Sequence, residues 1–104
     1  MLEINENNFK EEVLDSKIPT LVDFWASWCG YCTKLIPILE ELEQEYGDSL
    51  KIVKVNFDEN KSLAQKYEIM SLPTLILFKE GIETEKMVGF APGKIISKKL
   101  SEHI

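Results

Sequence analysis

Cys29 and Cys32 are the only cysteines in the chain, and they stand two residues apart in Trp28-Cys29-Gly30-Tyr31-Cys32. Two cysteines cannot build a disulfide-rich scaffold, so a packed core must hold the fold. What they can make is one local bond across a four-residue turn. Cys29 falls where a strand is expected to end and a helix to begin. The first turn of a helix offers unpaired N–H groups and the positive end of its dipole. Both favour thiolate over thiol, so Cys29 is expected to have a depressed pKa and to be the nucleophile. Cys32, one turn later, lies on the same side and deeper in the helix. It is close enough to bond to Cys29, or to displace a partner bound there. The spacing sets up a two-step exchange in which Cys29 attacks a target disulfide and Cys32 resolves the mixed species.

Other uses of two cysteines are weaker. Zinc wants four ligands, and the chain offers only these thiols and His103. An inert structural disulfide closing so short a loop would stabilise the fold only modestly. Asp23 and Lys54 add a second signal, each a charge inside an otherwise apolar run, LVDFW and IVKVN. A buried carboxylate without compensation is costly or stays protonated. With a raised pKa, Asp23 could take the proton from Cys32 as it attacks, and Lys54 could modulate that pKa. Lys54 reads equally well as a solvated residue or as half of a structural ion pair. Pro73, in Met70-Ser71-Leu72-Pro73-Thr74, directly precedes a buried run. Its position alone suggests only an ordinary trans proline at a strand start.

The elements that must position these residues follow from periodicity. Glu6 to Ser16 reads as a first helix with Phe9, Val13 and Leu14 as its apolar stripe and Asn5 or Asn7 as N-cap. Thr20 to Ala26 reads as a buried strand. The run from Cys29 or Gly30 to Tyr46 is the clearest helix, with Leu35, Ile38, Leu39, Leu42 and Tyr46 at helical spacing and Gly47 beyond its end. Pro37 within it predicts a kink. Leu50 to Phe57 is a second buried strand. Asn60 to Tyr67 is a short helix with Leu63, Ala64 and Tyr67 inward. Thr74 to Phe78 is a third strand, with a hairpin signal at Glu80-Gly81 leading to Thr84 to Phe90. Lys94 to Ile104 closes the chain as a helix burying Ile95, Ile96 and Leu100, and Leu2 to Ile4 could add an edge strand. The order β-α-β-α-β-α-β-β-α predicts an α/β fold with a mixed sheet covered on both faces.

At 104 residues, with 44% hydrophobic and 29% charged residues, the chain has ordinary globular proportions and reads as one domain, 1–104. A formal charge of −6 without a Lys/Arg cluster argues against nucleic-acid or anionic-lipid partners. The opening MLEINENNFK has no basic n-region and no apolar h-region, so no secretory leader is read. No apolar run is long enough to span a bilayer. The expectation is a soluble, cytoplasmic, monomeric domain.

The chain also resembles the thioredoxin family, on several motifs together. Trp28-Cys29-Gly30-Tyr31-Cys32 follows the strand Val22-Asp23-Phe24-Trp25-Ala26, Pro37 comes five residues after the second cysteine, and Leu72-Pro73-Thr74 and Val88-Gly89 complete the pattern. The resemblance covers essentially the whole chain. It implies a thioredoxin fold, a central mixed sheet of about five strands flanked by four helices. It implies the activity of a protein-disulfide reductase working through the Cys29–Cys32 disulfide, with no other cofactor and no metal. By the same resemblance Cys29 is the exposed attacking cysteine, Cys32 the buried resolving one, Asp23 the buried carboxyl and proton acceptor, and Lys54 the lysine that modulates it. Pro73 corresponds to a cis-proline opposite the disulfide, and Leu72 to the residue whose backbone pairs with an extended target segment. Trp28, Gly30, Tyr31, Phe57, Val88, Gly89 and Phe90 fall around the docking surface. The implied partners are disulfide-containing target proteins and a flavoprotein or ferredoxin-linked thioredoxin reductase.

One departure stands out. Thioredoxins usually carry proline where this chain has Tyr31, and often lysine where it has Thr33. Tyrosine at that point is similar to the glutaredoxin active site, although length, Trp28 and Asp23 fit thioredoxin better. Loss of the proline should loosen the first helical turn and raise the potential somewhat above that of a proline-bearing relative. Two other classes share these features: a binding module using the exposed aromatic flank of Trp28 and Tyr31, and an oxidase or isomerase with a more oxidising pair.

Overall fold

In the computed structural model, which describes residues 1–104, five strands form one sheet. They are β1 (Leu2–Ile4), β2 (Thr20–Trp25), β3 (Lys51–Asn56), β4 (Thr74–Lys79) and β5 (Ile82–Val88). Their order across the sheet is β1-β3-β2-β4-β5. β1, β3 and β2 run parallel, whereas β4 is antiparallel to both β2 and β5. Helices α1 (Gly30–Tyr46), α2 (Lys61–Lys66) and α3 (Gly93–Ser101) and a π-helical segment, Lys10–Leu14, supply the four expected helices. The edge strand at Leu2–Ile4 is present.

Alternation of side chains along each strand divides the core into two layers. Val22, Phe24, Val53, Val55, Ile76 and Phe78 meet Phe9 and Val13 of the first helical region and Leu63 and Ala64 of α2. On the other face Leu21, Ile52, Leu75 and Leu77 meet Leu35, Leu39 and Leu42 of α1 and Ile96 and Leu100 of α3. Each of the Val, Leu, Ile and Phe side chains among them contributes roughly 1.5–3 kcal/mol on full burial. These two layers carry the fold.

Three sequence expectations need correction. The first helix is shorter than Glu6 to Ser16, because the asparagines ahead of it make a turn of their own. Asn8 Oδ1 accepts the Asn5 N–H at 2.8 Å and Asn5 Oδ1 accepts the Asn7 N–H at 2.8 Å. Neither Asn5 nor Asn7 caps the helical segment itself, whose N-cap is Phe9. Ile95 on α3 is exposed rather than buried. It sits about 100° round the helix from Ile96, off the stripe that Ile96 and Leu100 define. The last strand begins at Ile82, not Thr84, because the hairpin is tight. Glu80 and Gly81 have φ of 52° and 79°, and Lys79 already pairs with Ile82. At Gly81 a Cβ would also stand 2.9 Å from the Leu14 carbonyl oxygen, so glycine is required there on two counts. α1 runs through Pro37 as a single helix.

Candidate active site

β2 ends at Trp25, and the chain turns through Ala26 to Trp28 into α1. The Cys29 N–H donates to the Ala26 carbonyl at 3.1 Å, which closes that turn. Cys29 itself is the N-cap of α1, in extended conformation, and its Sγ accepts the Cys32 N–H at 3.2 Å. A sulfur thus takes the place that a Ser or Asp oxygen commonly fills at a helix start. Cys29 and Cys32 are joined as a disulfide with Cα atoms 5.3 Å apart. Cys29 is buried at 8% exposure rather than exposed as the resemblance implied, though it remains more accessible than Cys32 at 2%. The Thr33 N–H and hydroxyl both reach the Cys29 carbonyl, at 3.3 and 3.5 Å.

The loop before β4 faces this turn. Leu72-Pro73 is a cis peptide, as the resemblance implied and as position alone did not suggest. Thr74 Oγ1 donates to the Ser71 carbonyl at 2.7 Å, and the Gly89 N–H donates to the Pro73 carbonyl at 2.8 Å. Gly89 has a φ of 91°, which lets the chain leave β5 toward Pro73. Leu72, Trp25 and Phe57 pack on the small cluster of Ala26, Cys29 and Cys32. The Leu72 N–H and C=O make no hydrogen bond within the chain.

Exposed aromatic residues, Trp28 and Tyr31, adjoin the two cysteines in the chain. Trp28 is held by its indole N–H, which donates to Asp58 Oδ2 at 2.8 Å. Tyr31 lies with its ring centre 5.8 Å from that of Phe90, and the Lys34 ammonium sits 5.2 Å from the Tyr31 ring centre. Trp28, Tyr31, Val88 and Phe90 are all exposed, and Gly30 leaves open space beside Cys29. Nothing local in the sequence marks Asp58 as part of the site. A usable signal was the pairing of β2 with β3, since Trp28 and Asp58 each follow shortly after the paired ends Trp25 and Asn56.

Beneath the turn, Asp23 is 2% exposed and its Oδ1 has no partner. Burial pushes its carboxyl up to about 7, and the Lys54 ammonium pulls the other way. Asp23 and Cys32 line one cavity of about 60 Å³, together with Trp25, Thr33, Ile36 and Lys54. That is enough room to admit water. Lys54 pairs with Asp23 in the β2–β3 register, is half-buried, and places its ammonium 3.9 Å from Glu3 Oε1. His103, which the zinc alternative would need, is bonded instead to Glu85 at 3.0 Å. No cluster of three or more His, Cys, Asp or Glu residues is arranged to hold a metal ion. No helix is long and apolar enough to cross a membrane.

The Thioredoxin family model matches residues 1–102. The chain is 46% identical to Thioredoxin 1 of Synechococcus elongatus over 101 residues, covering 97% of this chain and 94% of that protein. It is 42% identical to Thioredoxin of Bacillus subtilis over 104 residues, covering 100% of this chain and 98% of that protein. Thioredoxin 2 of Chlorobaculum tepidum is 46% identical over 102 residues, 98% of this chain and 94% of that protein.

Proposed function

The chain belongs to the thioredoxin family and is a protein dithiol–disulfide oxidoreductase, and we propose that Cys29 and Cys32 act in sequence within it. The Cys29 thiolate attacks one sulfur of a target disulfide. That S–S bond breaks, one target sulfur leaves as thiolate, and a mixed disulfide joins the target to Cys29. Asp23, through water in the shared cavity, takes the proton from Cys32. The Cys32 thiolate then attacks the Cys29 sulfur, expels the second target sulfur and closes the Cys29–Cys32 disulfide. Two electrons have passed from this chain to the target. A thioredoxin reductase returns them, as in the family's general system, and the exchange runs on the disulfide without a bound cofactor.

The observation that carries this reading is the Cys29 sulfur at the helix N-cap, accepting the Cys32 N–H at 3.2 Å. A donor already aimed at that sulfur, with the helix dipole behind it, favours the anion that must attack. Leu72 offers an unpaired N–H and C=O beside the disulfide, which suits an extended target segment added as a strand. In this reading Trp28, Gly30, Tyr31, Pro73 and Gly89 contact the target, and Lys54 modulates Asp23. We assign all of residues 1–104 to one thioredoxin domain, acting as a monomer. A reductant of this kind suits a reducing compartment such as the cytoplasm.

The test is insulin-disulfide reduction. Cys29→Ser should abolish turnover, and Cys32→Ser should accumulate a mixed disulfide at Cys29. Turnover retained in Cys29→Ser would exclude the mechanism.

A further inference from the structure

Glu3, Lys54 and Asp23 occupy one row across three neighbouring strands. Glu3 pairs with Lys54 in the β1–β3 register, and Lys54 with Asp23 in the β3–β2 register. Directly paired positions put their side chains on one face of a sheet. The Lys54 ammonium lies 3.9 Å from Glu3 Oε1 and 5.1 Å from the centre of the Trp25 ring. It forms no ion pair with Asp23, whose Oδ1 is left without a partner. Yet Lys54 and Asp23 line the same cavity as Cys32.

We infer that Glu3, at the edge of the sheet, is a positioning residue for the exchange. It anchors the Lys54 ammonium on the outer side of the row and so governs how readily Asp23 trades its proton with Cys32. The inference rests on the reading of Asp23 as the base for Cys32. The other groups around Asp23 do not compete for this role. Cys32 faces it from α1, and Leu75 pairs with it on β4. Burial favours protonated Asp23, and Lys54 is the one charge opposing it.

Removing the Glu3 charge acts twice in the same direction. It takes away an anion two strand spacings, about 10 Å, from the carboxyl, and it frees the cation to approach. Both favour ionised Asp23. Glu3 is exposed, and Glu3→Gln keeps its size. The proton affinity of Asp23 should fall by between about twofold and tenfold, which moves its titration midpoint down by roughly 0.3 to 1 pH unit.

The experiment is an NMR titration of the Asp23 carboxyl carbon in the oxidised protein, for wild type and Glu3→Gln, repeated with Lys54→Met in both. The expected result is a lower midpoint in Glu3→Gln, with less than half of that change left when Lys54 is Met. The pH profile of mixed-disulfide resolution by Cys32 should move down with the midpoint. An unchanged midpoint in Glu3→Gln overturns the inference, and so does an equal change in the Lys54→Met background. Failure of the underlying reading looks different: Asp23→Asn would resolve the mixed disulfide with the wild-type pH profile, and the role given to Glu3 would go with it.

Discussion

Asp23 makes the stability of the protein depend on pH in an unusual direction. In the unfolded chain its carboxyl ionises near 3.8, whereas in the fold burial keeps the proton on until about 7. Between these values the folded state binds more protons than the unfolded one, so stability falls as pH rises through this window and levels off above it. The difference is about 3 pH units, and at 1.36 kcal/mol each it amounts to roughly 4 kcal/mol lost by pH 7 to 8. Asp23→Asn keeps the shape and removes the ionisation. Relative to wild type it should be near neutral at pH 4 and stabilising by up to about 4 kcal/mol at pH 8. With urea m-values of about 1–3 kcal/mol/M, the unfolding midpoints should separate by more than about 1 M over that range. Urea unfolding of both oxidised proteins from pH 4 to 8 is the assay. Parallel curves for the two proteins across the whole range would mean that Asp23 holds no extra proton in the fold.

Other substitutions test the remaining parts of the site. Tyr31→Pro restricts the first turn of α1 and should lower the reduction potential, each 30 mV being about a tenfold change in a two-electron equilibrium; equilibration with a glutathione buffer reads it, and a raised potential would contradict the expectation. Asp58→Ala frees the exposed Trp28 ring from its 2.8 Å hydrogen bond. It should raise KM for a protein disulfide by about twofold to tenfold with kcat little changed, as steady-state kinetics would show. Leu100→Ala in α3 should destabilise the fold by about 2–5 kcal/mol in thermal or chemical unfolding, because its side chain is wholly buried between α3 and the sheet.

Features with a strong local cause were legible in the sequence. The helix from Gly30 to Tyr46 announced itself through Leu35, Leu39 and Leu42, and the Glu80-Gly81 hairpin through its dipeptide. Cys29 and Cys32 were visible because their chemistry depends on spacing within a single turn. Asp23 stood out as a charge within an apolar run, and burial is what the structure adds to it. Features that depend on distant residues were hidden. The Trp28–Asp58 bond spans 30 positions, and Lys54's attachment to Glu3 spans 51. Both require knowing which strands are neighbours. The start of the first helix is not legible, because Asn5, Asn7 and Asn8 suit a cap and a turn equally well and only the bonds between them decide. At Pro73 local spacing supported the wrong isomer, and family resemblance supplied the cis form.

The exchange turns on the Cys29 sulfur being an anion at working pH. The most direct measurement follows thiolate absorbance of the reduced protein against pH, with Cys29→Ser and Cys32→Ser to assign each step. Cys29 should ionise first, clearly below the roughly 8.5 of an ordinary free thiol. A Cys29 that ionises at or above that value, or only after Cys32, would contradict the mechanism.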